Sequence, residues 1–266
     1  MKHVLTIAGS DCSGGAGIQA DLKTFAAHGV YGMSVIVSVV AENTQRVIGA
    51  ENVSPKLIVD QLQAVFEDIR VDAVKIGMLP SQLVMETVAR ELKERKPKNI
   101  VLDPVMIAKN GFALMDSRLA RTLADLVLPY ADVVTPNIPE AEVLADMRIA
   151  SIEDMEEAAR RIHGYGPPYV LVKGGHRSDA AADLLYDGNR MLWFTAKRID
   201  TKNTHGTGCT FSSAIAANLA LGKPIEKAVE QAKAYVTMAI EHALSLGKGC
   251  GPTHHFYDLY NNGLAR

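Results

Sequence analysis

The feature that most constrains the fold is a regular alternation of short apolar runs with longer segments of helical spacing. The apolar runs predict buried strands and are Val4–Ala8, Tyr31–Val40, Ala73–Ile76, Ile100–Leu102, Val133–Val134 and Tyr169–Val172. The segments between them place apolar residues on one helical face, as Ile58, Leu62 and Val65 do within Pro55–Ile69. This alternation predicts an α/β fold of three layers, in which helices cover both faces of a central, mostly parallel sheet.

The composition is typical of a globular domain and argues against several classes of protein. The chain has 266 residues, of which 48% are apolar and 22% charged, and its formal net charge is −2. No linker interrupts it, so we expect a single domain over residues 1–266. The balanced charge does not favour nucleic-acid binding. No apolar run reaches the ~20 residues of a membrane span, and three widely spaced cysteines favour a reducing compartment. We therefore expect a cytoplasmic protein without a membrane partner.

A glycine-rich segment, Gly9–Gly17, separates the first predicted strand from the first predicted helix. Glycine lets the backbone approach a ligand closely, and backbone N–H groups at the start of a helix attract anions. The segment ends in Gly15-Ala16 where a P-loop would have Lys-Ser or Lys-Thr, and no dinucleotide-binding register fits it. It predicts either a ligand-binding turn or a simple tight turn. Cys12 would place an oxidation-sensitive thiol in this turn.

A second glycine-containing motif, His205-Gly206-Thr207-Gly208-Cys209-Thr210, overlaps the start of an apolar helix predicted over Gly208–Leu221. Successive N–H groups at such a helix terminus can form an anion hole for a phosphoryl group in transfer. Cys209 would lie in the first turn, where the helix dipole favours a thiolate. The alternative is a buried structural cysteine beneath a glycine turn.

Polar residues also follow several predicted strands, at the sheet edge where ligands bind in open parallel sheets. Asp103 follows one strand and Glu140 follows another, and two such carboxylates could hold Mg²⁺. Each could instead cap a helix. Lys173 ends a further strand and suits either a phosphate contact or plain solvent exposure. Met78 is either a core residue or a ligand contact.

Two further carboxylates are candidates for recognising a substrate. Glu42 follows the second predicted strand and Asp21 lies on the first helix. A carboxylate beside an aminopyrimidine could accept a hydrogen bond from its amino group or from a protonated ring nitrogen; the alternative for Glu42 is a solvated turn residue. After a last helix predicted over Pro224–Leu246, the adjacent His254 and His255 are interpreted as surface groups of a flexible tail and receive no role.

Taken together and in order, these segments resemble the hydroxymethylpyrimidine/phosphomethylpyrimidine kinases of thiamine biosynthesis. The resemblance extends from residue 4 to about Pro252 and is carried by Gly9–Gly17 with Ile18–Lys23, Ala41–Thr44, Lys75–Met78, Asp103–Val105, Thr135–Glu140, Lys173–Gly175 and Asn203–Cys209. It implies a ribokinase-like fold, ATP with Mg²⁺, and a homodimer. It also implies two successive phosphorylations, first of 4-amino-5-hydroxymethyl-2-methylpyrimidine and then of its monophosphate.

The resemblance also implies roles for individual residues. Substrate contacts would come from Gly9, Asp21, Glu42, Met78 and Val105. Nucleotide contacts would come from Asn137, Lys173, Thr207 and Lys233, and metal or phosphate contacts from Asp103, Thr135 and Glu140. Gly206, Gly208 and Cys209 would form the catalytic group. Cys209 stands where related sugar kinases have an aspartate base, so we hypothesise that its thiolate serves the first phosphorylation, whose acceptor is a hydroxyl.

Two alternative functions remain open from the sequence. The first is a pyridoxal or pyridoxine kinase, because some similar proteins with the same glycine-cysteine ending act on those substrates. Glu42 argues against it, because a carboxylate suits an amino group better than the phenolic oxygen of pyridoxal. The second is a non-catalytic nucleotide-binding protein on the same fold. Retention of Asp103, Glu140 and the complete Gly206–Cys209 loop argues against that alternative.

Overall fold

The computed structural model describes residues 1–106, 117–174 and 181–263. Within these ranges the strands are β1 (His3–Asp11), β2 (Tyr31–Glu42), β3 (Val47–Asn52), β4 (Ala73–Ile76), β5 (Ile100–Leu102), β6 (Val133–Val134), β7 (Tyr169–Val172), β8 (Ala181–Tyr186) and β9 (Met191–Ala196). They form one sheet in the order β3-β2-β1-β4-β5-β6-β7-β8-β9. The neighbours from β2 to β7 are parallel, whereas β3, β8 and β9 pair antiparallel.

The helices of the described residues are α1 (Gly17–Ala27), α2 (Pro55–Asp68), α3 (Gln82–Arg95), α4 (Ala120–Leu126), α5 (Ile138–Ala145), α6 (Ile152–His163), α7 (Thr207–Ala220), α8 (Ile225–Glu241) and α9 (Tyr257–Asn262). Several begin where the sequence offers a capping side chain. Ser54, Ser81 and Ser151 each accept a hydrogen bond from a backbone N–H in the first turn of α2, α3 and α6. In the described part of the chain, no helix combines the length and hydropathy needed to cross a bilayer.

The sheet is covered on both faces because successive strand residues point in opposite directions. In β1, Leu5 and Ile7 join a core cluster with residues of α2 to α6. Val4 faces the opposite side of the sheet. It packs in a second core cluster with residues of α1, α7 and α8. The predicted three-layer architecture is confirmed, and the short apolar runs are its central strands.

The chain reverses its direction of progress across the sheet between β1 and β4. From β1 it moves outward to β2 and β3, and it then returns to the other side of β1 to build β4 through β7. In open parallel sheets such a reversal opens a crevice at the carboxyl ends of the strands, where ligands bind. The fold therefore places residues that follow β1, β2, β4, β5, β6 and β7 around one crevice.

The C-terminal part of the chain differs from the prediction. The last long helix ends at Glu241 rather than at Leu246, and the following segment folds back so that the Cys250 N–H donates to the Thr44 carbonyl over 2.8 Å. His255 is not a surface group of a flexible tail, because it is buried and its Nε2 lies 3.0 Å from Thr210 Oγ1 on α7. This segment packs against α7 through contacts between residues far apart in the sequence, which a local sequence pattern cannot predict.

Candidate active site

A cavity of about 900 Å³ opens at the carboxyl ends of the parallel strands. Its wall includes most of the residues that the sequence singled out, namely Gly9, Glu42, Met78, Asp103, Val105, Asn137, Glu140, Lys173, Gly206, Thr207, Gly208, Cys209 and Lys233. This volume is in the range of small-molecule sites. Segments far apart in the sequence thus meet around one cavity, as expected for the carboxyl ends of neighbouring parallel strands.

Asp21 does not line this cavity, which corrects the prediction that it contacts a substrate. It is fully buried and accepts three hydrogen bonds, from Thr6 Oγ1 over 2.6 Å, from Lys75 Nζ over 2.9 Å and from Ser213 Oγ over 2.7 Å. Its carboxylate is therefore occupied by protein partners behind the cavity wall. Lys75, its cationic partner, reaches the wall itself.

The glycine-rich turn is not an anion site, because its N–H groups bind a carboxylate of the turn itself. Ser13 N donates to Asp11 Oδ1 over 2.7 Å, and the N–H groups of Gly15 and Ala16 donate to Oδ2 over 3.0 and 2.8 Å. His205 Nε2 lies 2.8 Å from the same oxygen. Burial opposes ionisation of Asp11, but these hydrogen bonds outweigh it and lower the pKa of the carboxyl to about 2. These N–H groups are therefore not available to an anion, although Gly9, Ala16 and Gly17 of the same segment line the cavity.

Glu42, at the end of β2, presents a half-buried carboxylate to the cavity. Burial raises its pKa and nearby Asp11 raises it further, while His205 lowers it. Beside it, Gly9 packs closely against Met78, since a Cβ on Gly9 would lie 2.6 Å from Met78 Cε. Gly9, Glu42 and Met78 therefore form a pocket with one acidic group and an apolar wall, on the side of the cavity next to β1, β2 and β4.

The N-terminus of α7 faces the middle of the cavity. Gly206 precedes the helix with φ of +77°, a conformation that favours glycine. A Cβ on Gly208 would lie 3.3 Å from Asp103 Oδ2 and 3.6 Å from Lys173 Nζ, so the first turn approaches those two side chains closely. Backbone N–H groups at this terminus suit a phosphoryl group.

The thiolate predicted for Cys209 is not the resting form of this side chain. Burial raises the pKa of the thiol to about 11; Lys75 lowers it, and the carboxylates of Asp21 and Asp103 raise it. Desolvation and two nearby anions therefore oppose the thiolate that the start of the helix favours. Cys209 is a neutral thiol in the free protein at neutral pH.

A group of buried charges lies on the far side of the α7 terminus. Lys173 Nζ donates to Asp103 Oδ1 over 2.7 Å. Burial raises the pKa of Glu140 to about 7; Lys173 lowers it and Asp103 raises it. Thr135 is fully buried and does not line the cavity, which corrects its direct metal or phosphate role. Its Oγ1 donates a hydrogen bond to Asp103 Oδ1 over 3.3 Å.

The capping interpretation is right for Glu140, and it does not exclude a role for Glu140 in binding a metal ion. Asn137 Oδ1 accepts from Glu140 N over 2.9 Å, and Glu140 Oε2 accepts from Asn137 N over 2.8 Å, which forms a capping box on α5. Both residues still line the cavity. Asp103 and Glu140 together offer carboxylate oxygens, the donor type that Mg²⁺ prefers, so the residues present fit that ion.

Sequence reasoning missed four ionisable residues of this region, namely Asp11, Lys75, Asp183 and His205. Lys233 Nζ donates to Asp183 Oδ2 over 2.6 Å, and Gly174 N donates to Asp183 Oδ1 over 3.0 Å. A signal was available for Lys75 and Asp183, because each is a charge at an inward-facing position of an otherwise apolar strand. Asp11 and His205 stood within the motifs, but nothing local showed that they are partners.

The chain is similar to known proteins over nearly its whole length. The family described as phosphomethylpyrimidine kinase matches residues 11–254. The hydroxymethylpyrimidine/phosphomethylpyrimidine kinase of Bacillus subtilis is 46% identical over 96% of this chain and 95% of its own. The thiamine biosynthesis bifunctional protein ThiED of Geobacter sulfurreducens is 50% identical over 95% of this chain, and this chain spans 52% of that longer protein.

Among solved structures, the ADP complex of Bacillus subtilis pyridoxal kinase superposes with a TM-score of 0.90 at 42% identity, covering 96% of this chain and 98% of that one. The predicted ribokinase-like fold is confirmed by this similarity. Because the family match and the Bacillus subtilis relative both extend over nearly the whole sequence, this chain belongs to the phosphomethylpyrimidine kinase family.

Proposed function

We propose that the protein transfers a phosphoryl group from ATP to the hydroxymethyl oxygen of 4-amino-5-hydroxymethyl-2-methylpyrimidine and then phosphorylates the resulting monophosphate. The observation that carries the proposal is the order of groups across the cavity. The Glu42 pocket lies next to β1, β2 and β4, the N-terminus of α7 lies in the middle, and the charged group around Asp103 and Lys173 follows β5 and β7. An acceptor, a transferring phosphoryl group and a nucleotide phosphate chain would occupy these three positions in turn.

On the acceptor side, the Glu42 carboxylate would accept a hydrogen bond from the amino group of the pyrimidine. Gly9, Met78 and Val105 would pack against the ring. The raised pKa of Glu42 fits a half-buried carboxyl group that a donor on the ligand would stabilise in its charged form. Asp21 has no direct part in this recognition and supports Lys75 instead.

On the nucleotide side, Lys173 and Lys233 would contact phosphate oxygens, with Asn137 and Thr207 as polar neighbours. Asp103 and Glu140 would hold Mg²⁺, with Thr135 orienting Asp103. The ion would supply positive charge to the nucleotide phosphates. The lysines are held in place for this task, because each is paired with a buried carboxylate, Lys173 with Asp103 and Lys233 with Asp183.

In the first reaction, the hydroxymethyl oxygen forms a bond to the γ-phosphorus while the bond from that phosphorus to the bridging oxygen of ATP breaks, and ADP leaves. Negative charge on the transferring group is stabilised by the N–H groups of Gly206, Gly208 and Cys209, and such donors are worth about 10²–10³-fold each in rate. The Cys209 thiol would first lose its proton to solvent, and the resulting thiolate would then accept the proton of the hydroxyl group. The second acceptor is a phosphate that is already an anion, so that step needs no base.

A coupled assay with ATP and Mg²⁺ tests the proposal on three acceptors, the hydroxymethylpyrimidine, its monophosphate and pyridoxal. We expect turnover of both pyrimidines, with a lower kcat/KM for pyridoxal. Glu42→Gln keeps the shape but loses the charge, and we expect kcat/KM for the pyrimidine to fall about 10–100-fold, the range for a charge-assisted hydrogen bond. Absence of any γ-phosphate transfer would instead favour a non-catalytic nucleotide-binding protein.

Pyridoxal phosphorylation is the second candidate, favoured by the close similarity to a pyridoxal kinase structure. The same assay separates the two. A higher kcat/KM for pyridoxal than for either pyrimidine would overturn the role given to Glu42 while leaving the phosphate chemistry in place.

We also propose a cellular location and an oligomeric state. A cytoplasmic location rests on Cys12, Cys209 and Cys250, all of which are free thiols. A homodimer rests on the family resemblance, and light scattering on a size-exclusion column would test it by comparing the mass in solution with the 28.7 kDa of one chain.

A further inference from the structure

We propose that Asp11 and His205 are positioning residues, which fix the acceptor side of the cavity relative to the phosphate-binding N-terminus of α7. The inference rests on the proposed kinase function, and it concerns two side chains to which that function gives no role. Asp11 ends β1 and His205 immediately precedes Gly206, so their contact joins two segments that are 194 positions apart in the sequence.

The contact between Asp11 and His205 is short and buried. His205 Nε2 lies 2.8 Å from Asp11 Oδ2, and the two residues are only 8% and 2% exposed. The same carboxylate accepts the N–H groups of Ser13, Gly15 and Ala16. One carboxylate therefore shapes the whole glycine turn and at the same time holds the residue in front of α7.

The glycine turn also lies directly against the start of α7. A Cβ on Gly15 would overlap the His205 ring, and a Cβ on Gly206 would overlap the Gly15 carbonyl oxygen. Gly206 therefore lies directly against the Gly15 backbone, and the His205 ring lies beside Gly15. A shift of the His205 ring would therefore displace Gly206, whose backbone starts the helix that presents its N–H groups to the cavity.

The backbone of His205 is also hydrogen-bonded to the C-terminal segment around Gly251 and Thr253. His205 N donates to the Gly251 carbonyl over 3.0 Å, and Thr253 N donates to the His205 carbonyl over 3.4 Å. The neighbouring Cys250 N donates to the Thr44 carbonyl, two residues beyond Glu42. The carboxyl oxygens of Asp11 and Glu42 and a ring nitrogen of His205 also lie within 4.8 Å of one another. The pair thus borders the acceptor pocket as well as the helix.

This arrangement matters because phosphoryl transfer needs the acceptor oxygen in line with the breaking bond. The acceptor pocket comes from β1 and β2, whereas the anion hole comes from α7, so their relative position depends on contacts between them. A displacement of about 1 Å can cost about 10²-fold in rate. Neither Asp11 nor His205 needs to touch the reacting atoms to have that effect.

The test compares His205→Ala with His205→Gln, which retains an N–H donor near the position of the ring nitrogen. We expect His205→Ala to lower kcat for the hydroxymethylpyrimidine about 30–100-fold, with KM for ATP changed less than about twofold, because Asn137, Lys173 and Lys233 contact the nucleotide from other elements. His205→Gln should recover at least about tenfold of that loss. Asp11→Asn should lower kcat similarly, and adding it to His205→Ala should cost little more, because the two residues act as one unit.

His255→Gln is the matched control, because it removes another buried, hydrogen-bonded histidine next to α7 that does not line the cavity. We expect it to lower thermal stability while kcat stays near that of the wild type. Wild-type kcat in His205→Ala, equal losses in His205→Ala and His205→Gln, or additive effects of Asp11→Asn and His205→Ala would overturn the inference. A wild-type protein inactive on both pyrimidines would instead contradict the proposed function, so the two failures are distinguishable.

Discussion

Lys75 and Asp21 form an ion pair in which neither side chain has any solvent exposure, with Lys75 Nζ 2.9 Å from the carboxylate. Lys75 comes from β4 and Asp21 from α1, so the pair ties the sheet to the helix layer behind the cavity. Burial opposes the charge on Lys75, but Asp21 outweighs it and raises the pKa of the ammonium group. Hydroxyl groups of Thr6 and Ser213 complete the hydrogen bonding of the carboxylate.

Asp21→Asn is expected to destabilise the fold strongly, because it leaves the buried Lys75 charge without a counter-ion. Removal of one partner from a buried pair costs about 3–5 kcal/mol, which urea unfolding at neutral pH would measure. Asp60→Asn is the control: it breaks the exposed Lys56–Asp60 pair on α2, and such pairs are worth about 0–1 kcal/mol. If both variants lose the same small amount while KM for the pyrimidine rises only in Asp21→Asn, Asp21 is a substrate contact after all.

His255 should make the fold less stable in mild acid. Burial, together with the nearby Lys23 and His254, lowers its pKa from 6.5 to about 4. The unfolded chain therefore binds a proton that the folded chain resists, so this contribution to stability is complete above pH 6.5 and is lost as the pH falls towards about 4. The loss amounts to about 2–3 kcal/mol.

Urea midpoints measured across this pH range would show the effect, and His255→Gln should flatten the dependence on pH. An equally steep dependence in His255→Gln would mean that other groups cause it.

The first phosphorylation should speed up as the pH rises if Cys209 is the base. With a thiol pKa of about 11, the thiolate fraction grows about tenfold per pH unit near neutrality. The logarithm of kcat for the hydroxymethylpyrimidine should then rise with pH, whereas kcat for the monophosphate should not follow this slope. Cys209→Ala should abolish the slope and leave the second step nearly unchanged. If Cys209→Ala and Cys209→Asp both retain the wild-type rate for the first step, the base role is wrong.

Cys12 should affect pyrimidine binding through the backbone of Glu42. Its thiol donates to the Glu42 carbonyl over 3.1 Å, and the Glu42 N–H donates to its sulfur at 3.4 Å. Cys12→Ala removes both contacts, so we expect KM for the pyrimidine to rise about three- to tenfold, the cost of about one hydrogen bond, while KM for ATP stays constant. Cys12→Ser should recover most of the loss. An unchanged KM in Cys12→Ala would show that β2 alone holds Glu42 in place.

The fold was largely predictable because its signals are local. The runs from Ala73 to Ile76 and from Ile100 to Leu102 coincide with β4 and β5 as predicted. Short, apolar, β-branched runs between amphipathic segments leave few alternatives to a covered parallel sheet. The errors lie where the chain loses periodicity, as after Glu241, where the return of the backbone to Thr44 is a long-range contact.

The candidate site was predictable as a set of segments but not as a set of partners. The sequence by itself determined the alternation of strands and helices, the glycines before α1 and α7, and the ordered motifs that identify the family. Only the tertiary structure decided that Asp11 contacts His205, that Asp21 forms an ion pair with Lys75, and that burial raises the pKa of the Cys209 thiol. Hydrogen-bond partners and pKa values depend on which groups meet and how much water remains around them. Those quantities are set by contacts between residues distant in the chain, and no local pattern contains them.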